Sequence, residues 1–205
     1  MEIVSNMVDR EAEINQQIAA RVRALRADLD LSLDALAARS GVSRSTISLI
    51  ERAETSPTAV VLDKLAVGLG VSLAALLDPP SAPGHHPGGP VARREEQPEW
   101  RDPGSGYVRR TVSPPGVPQP LRIAEVLFPP GARVAFDNGA RGGRVHQQIW
   151  VLEGEIELTL GDDCHRLRTG DCLAMEPHLP AMFHNPTRKP VRYAVVIATE
   201  PPTLR

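Results

Sequence analysis

The chain has 205 residues, of which 41% are hydrophobic and only 3% aromatic, so any core must rest on Leu, Val, Ile and Ala. A formal net charge of −2 excludes a globally basic nucleic-acid coat, and the two cysteines, Cys164 and Cys172, are too few for a disulfide framework. No apolar run approaches the roughly 18 residues of a membrane span and no charged-then-apolar leader opens the chain, so the expectation is a soluble cytoplasmic protein with no membrane partner.

Met1 to Gln17 is polar with scattered apolar residues, and it is expected to extend a first helix backward from Ile18. Ile14, Ile18, Val22 and Leu25 recur at helical spacing. Ser32 has the chemistry of an N-cap, because its hydroxyl can accept a free backbone N–H of the next turn. Leu33, Leu36 and Ala37 then form a stripe, and Gly41 suits a left-handed stop. Ser43 caps again, and Ile47 and Ile50 give a second stripe. Between the stripes an exposed face carries Arg44, Ser45, Thr46 and Ser48, which makes a helix-turn-helix whose second helix is offered to a groove. Ser56-Pro57 is expected to start a fourth helix with Pro at the first helical position, and Val60, Val61, Leu62, Leu65 and Leu69 are expected to fill its buried side. Gly70 ends that helix, and Ser72 caps a short fifth one through Leu77.

With its flanks, the stretch from Ile18 to Leu77 resembles the xenobiotic-response-element (XRE) family of helix-turn-helix regulators, which includes the lambdoid phage repressors. The resemblance implies a five-helix domain over residues 1–78 that binds double-stranded DNA as a homodimer. It also implies an ion pair between Arg26 on the first helix and Glu51 after the recognition helix, fixing their relative geometry. Ser32 and Ser43 are expected to meet phosphates with their helix N-termini, and Arg44, Ser45, Thr46 and Ser48 to meet base edges or phosphates, with Arg44 the candidate guanine reader. Residues 1–78 hold eight Lys or Arg against eleven Asp or Glu, which counts against strong non-specific DNA binding but leaves specific binding open.

Residues 79–104 are rich in Pro and Gly and are expected to be a linker between two independent halves, with His85-His86 read as solvated. The period then changes. LRIAEVLF from Leu121, EIELTL from Glu155, RYAVVIAT from Arg192 and shorter runs at Gln148–Val151 and Cys172–Met175 are β-rich and separated by turn signals, which argues for an all-β sandwich or barrel. The string from Ile149 to Pro186, with Trp150 to Glu155, LRTGD at Leu167–Asp171 and PAMFHN at Pro180–Asn185, resembles the cupin family. That resemblance implies a double-stranded β-helix, a jelly-roll barrel, over residues 105–205.

Many cupins hold a divalent metal. Carried over by position, the four ligands fall on Arg141, Gly143, Gln147 and Ala181, none a good first-row ligand, so no metal and no cofactor are expected. His146 and His184 lie an odd number of residues from ligand positions, which turns them outward in regular strand; only a bulge would bring in a displaced site. Cys164 and Cys172 are expected to be buried inert thiols rather than a redox pair. Arg133, Arg141 and Arg144, if any point inward, would suit a small anionic effector, with Gln147, Trp150 and Phe183 as further pocket residues; the alternative for the arginines is a solvated loop. The expected function is therefore a DNA-binding transcriptional regulator, not an enzyme, whose barrel senses a small molecule or supports dimerisation. The alternatives are a cupin-type isomerase or dioxygenase with a helical appendage, and a module whose helical half contacts protein.

Overall fold

The structure is a computed structural model and describes residues 2–77, 89–115, 120–136, 145–175 and 179–199. Five helices come first: α1 (Glu2–Asp28), α2 (Leu33–Ser40), α3 (Arg44–Glu51), α4 (Ala59–Leu69) and α5 (Leu73–Leu77). Local chemistry sets their ends. Ser32 Oγ accepts from Ala35 N at 3.0 Å and Ser43 Oγ from Thr46 N at 3.1 Å, so each hydroxyl satisfies one orphan donor of the first turn. Gly41 stops α2 with φ at 68°, a conformation that a Cβ would penalise. Ile18, Val22, Leu36, Ile47, Ile50, Leu62 and Leu65 form the helical core.

Two expectations for α4 need correction. Thr58, not Pro57, is the decisive start residue: its hydroxyl accepts from Val61 N, and Pro57 lies outside the helix. Nor do Val60, Val61 and Leu62 all face inward. Successive helical residues point about 100° apart, so burial falls on Ala59, Leu62, Asp63, Leu65, Ala66 and Leu69, while Val60 is exposed. Helices α2 and α4 approach so closely at Gly68 that an added Cβ would lie 2.8 Å from Ser40 Cβ.

Ten strands follow: β1 (Glu99–Arg101), β2 (Val108–Thr111), β3 (Leu121–Phe128), β4 (Arg133–Phe136), β5 (Val145–Glu153), β6 (Glu155–Leu160), β7 (Asp163–Arg168), β8 (Cys172–Met175), β9 (Ala181–His184) and β10 (Val191–Thr199). They pair antiparallel in a six-stranded sheet, β1-β2-β3-β10-β5-β8, and a four-stranded sheet, β4-β9-β6-β7. Inward residues of both sheets, among them Val126, Phe128, Ile149, Val151, Ile156, Leu158 and Phe183, fill the space between them. Asn185 is fully buried where the sheets meet. Its side-chain amide reaches the carbonyls of Phe128, Pro129 and Lys189, and its oxygen accepts from Thr187.

The second half of the expected linker is structured. Arg94–Glu96 forms a single 3-10 turn and β1 pairs with β2, with Trp100 buried edge-on against Tyr107 at 5.6 Å. A three-residue strand is too short to show a period of two, so only its partner reveals it. His85 and His86 lie outside the described residues. The two halves also touch: α1 packs on β1 and α4 on β4, and Asp102 Oδ1 accepts from Ala59 N at 2.9 Å. Cys164 and Cys172 are exposed free thiols rather than buried ones, because β7 and β8 are the terminal strands of their sheets.

Candidate nucleic-acid interface and ligand cavity

Helix α3 is presented by a turn that its own side chains hold. Ser43 Oγ lies 2.7 Å from Thr46 Oγ1 and 3.0 Å from Ser45 Oγ, which gathers three hydroxyls at the helix N-terminus. Arg44 is exposed beside them, 3.3 Å from Asp34 at the start of α2. Such an exposed pair is worth under about 1 kcal/mol and releases its guanidinium readily. Ser48 accepts from Arg52, whose guanidinium is held by Glu54; that bond raises the Arg52 pKa and lowers that of Glu54. On the inner side Arg26 forks Glu51 at 2.7 and 2.9 Å and donates a third bond to Leu31 O at 2.8 Å, tying α1 to the end of α3. The bond that Arg26 donates to the Glu51 carboxylate raises the Arg26 pKa.

Ser32, Ser43, Arg44 and Ser45 are thus exposed, while Thr46 and Ser48 are half-buried with their hydroxyls engaged. Sequence reasoning passed over Leu49, which is exposed one turn after Ser45 on the same face. An apolar residue out on a recognition helix is chemically suited to a thymine methyl.

The second site is a cavity of about 70 Å³ where the barrel meets the helices. Arg109, Gln147 and Phe183 come to it from strands, Tyr107 from the residue just before β2, and Asp63 and Ser72 from the helical half. Phe183 stacks on Tyr193 at 5.9 Å and meets Phe136 edge-on at 5.7 Å, so the wall is aromatic. Burial pushes the phenols of Tyr107 and Tyr193 above their ordinary value; the Arg109 charge opposes this, and at Tyr107 the Asp102 and Asp63 charges add to it. Arg109 is only 7% exposed, and its Nη1 has no hydrogen-bond partner among the described residues. Its neighbour Arg110 instead points to the other face and pairs with Glu125 at 2.7 Å.

This changes the expected pocket. Gln147 and Phe183 do line it. Trp150 does not: it lies three residues from Gln147 on β5, hence on the opposite face, and is 48% exposed. Arg133 is exposed at the start of β4, with Val134 taking the inward position. Arg141 and Arg144 lie outside the described residues. Arg109 escaped notice because VRRT shows two adjacent charges and no alternation, and only pairing with β3 decides which one turns inward. Of the carried-over metal positions, Gln147 lines the cavity and Ala181 is buried, while Arg141 and Gly143 fall outside the described residues. His146 is exposed, His184 bonds Glu157 at 3.0 Å, and His178 falls outside the described residues. Among the described residues no three His, Cys, Asp or Glu gather as metal ligands.

The helix-turn-helix family matches residues 22–76 and the cupin domain family matches residues 125–197. The chain is 23% identical over 180 residues to the HTH-type transcriptional regulator SutR of Escherichia coli K12, covering 88% of this chain and 93% of that protein. It is 28% identical over 166 residues to the HTH-type transcriptional regulator PuuR of the same organism, covering 80% and 85%. The chain belongs to the helix-turn-helix transcriptional regulators with a cupin domain. The regulator also shares its fold with a solved HTH_3 family transcriptional regulator from Vibrio cholerae, at a TM-score of 0.70 and 24% identity over 93% of this chain and 99% of that one. No described helix of the regulator is long and apolar enough to cross a membrane.

Proposed function

We propose that the regulator acts without catalysis in the cytoplasm, reading duplex DNA as a homodimer through α3 and sensing a small effector in the cavity. The observation that carries the DNA reading is the N-terminus of α3, where Ser43, Arg44 and Ser45 stand exposed around a capped helix start. Free N–H groups and a positive helix end favour a phosphate there, while Arg44 can reach a guanine edge bidentately. Ser32 offers a second phosphate contact at the start of α2. The acidic balance of residues 1–78 then disfavours random DNA and leaves discrimination to these few contacts.

The homodimer draws support from the outer face of the six-stranded sheet, where Leu121, Leu127 and Trp150 are exposed and Ile123 and Val196 half-buried. Two copies of the helical half related by a two-fold axis would read half-sites about one helical turn apart. The test is selection of bound sequences from a pool of random duplexes at moderate salt. A two-fold motif is expected, and Arg44→Ala should weaken binding to it by about 1–3 kcal/mol with loss of specificity at one position. Binding to the motif that is indifferent to Arg44→Ala would refute the assigned reader.

A further inference from the structure

We propose that the cavity holds a small organic monocarboxylate whose oxygen accepts from Arg109, so that the sensed effector belongs to this class; the proposal rests on the effector reading above. The warrant is the guanidinium. Arg109 is more than nine-tenths buried, lines the cavity, and leaves Nη1 without a hydrogen-bond partner among the described residues. A buried donor left unmade costs free energy, more so when it is charged, and a native chain tolerates that where something else supplies the acceptor. A carboxylate matches the guanidinium in charge, planarity and acceptor number.

The surroundings narrow the class. Asp63, buried in α4, also lines the cavity, and its charge and that of Arg109 both act on the Tyr107 phenol. The cavity is small and offers, among the described residues, one guanidinium with an unmatched donor, so a single carboxylate is favoured. The remaining wall, Phe136, Phe183 and Tyr193, is aromatic and takes an apolar remainder. The cavity is small, which excludes long chains.

The wall also supplies a route to DNA binding. Asp63 belongs to α4, Leu73 and Ala74 to α5 and Ser72 to the turn between them, so the occupant touches the helical half directly. An occupant that binds one arrangement of the two halves better than another shifts their equilibrium by that difference.

The full chain is titrated calorimetrically, without DNA, with acetate, pyruvate, lactate, glycine, alanine and succinate; ethylamine and glycerol serve as controls without a carboxylate. At least one monocarboxylate is expected to bind saturably and raise the melting temperature, while succinate and the controls do not. Arg109→Gln should weaken that binding roughly 10- to 100-fold, the loss of a charge-assisted bond. Arg109→Lys should retain part of it. Arg109→Gln should also melt no lower than the natural chain in the absence of ligand, because it removes an unmatched buried charge; a purely structural arginine would make it melt lower. Binding only of ethylamine, no binding by any monocarboxylate, undiminished binding by Arg109→Gln, or a much lower melting temperature for that variant would each overturn the proposal. Because no DNA is present, failure here leaves the two-fold motif selection standing, and failure of that selection leaves this result standing.

Discussion

Tyr107 and Tyr193 sit on either side of Phe128 in the barrel interior, at centroid distances of 5.8 and 6.3 Å, and neither phenol reaches bulk water. Burial raises both above the ordinary value of 10, because the phenolate is the form that desolvation penalises. The sign of the consequence follows. Between the unfolded and folded values the unfolded chain has released protons that the folded one keeps, so stability is full below pH 10 and is lost as pH rises beyond it. The slope should approach about 1.4 kcal/mol per pH unit for each phenol. Urea titrations at pH 8 and pH 10.5 should show the loss, and Tyr193→Phe should flatten it; equal slopes in the two proteins would refute the role of that phenol. At this scale the sequence spoke clearly where one side chain bonds its own backbone, as at Ser32 and Ser43. It was silent on Arg109, since a strand arginine becomes a cavity arginine only through register.

Among the elements, α2 and α4 show what a missing side chain permits. Gly68 faces Ser40, whose hydroxyl donates to Leu36 O at 2.7 Å and accepts from Val42 N at 3.2 Å, holding the bend between α2 and α3. A methyl at position 68 must displace backbone as well as side chain, because Ser40 Cα and N both lie 3.1 Å from the added Cβ. Gly68→Ala should therefore destabilise by about 1–3 kcal/mol despite its better helix propensity, measured by thermal or urea unfolding. A stability gain would mean that the helices part without cost. The helix pattern was legible because caps and apolar stripes are local. The strands were legible where a run was long and apolar, as in β3, β6 and β10, or short and bounded by turn signals, as in β8 and part of β5. The short strands β1 and β2, and the charged, edge-placed β7, needed their partners to be seen.

At the scale of the whole molecule, one carboxylate joins the halves. Asp102 is buried at the end of β1, where Oδ2 holds Ser105 and Oδ1 accepts from Ala59 N, capping α4 from outside its own domain. Asp102→Ala leaves that N–H unsatisfied and should lower stability by about 1–3 kcal/mol. Its thermal unfolding should also separate into two transitions as the helices and barrel lose their tie, and a single sharp transition at the natural temperature would refute the coupling. By itself the sequence determined that five helices precede an all-β barrel, and it marked Ser32 and Ser43 as the caps that bound the helix-turn-helix. These features rest on periodicity and on bonds within a few residues. Only the tertiary structure decided that the helices close over the barrel, that Asp63 and Arg109 share one cavity, and that Trp150 faces away from it. Those depend on register and on contacts between distant segments, for which the order of residues along the chain carries no local sign.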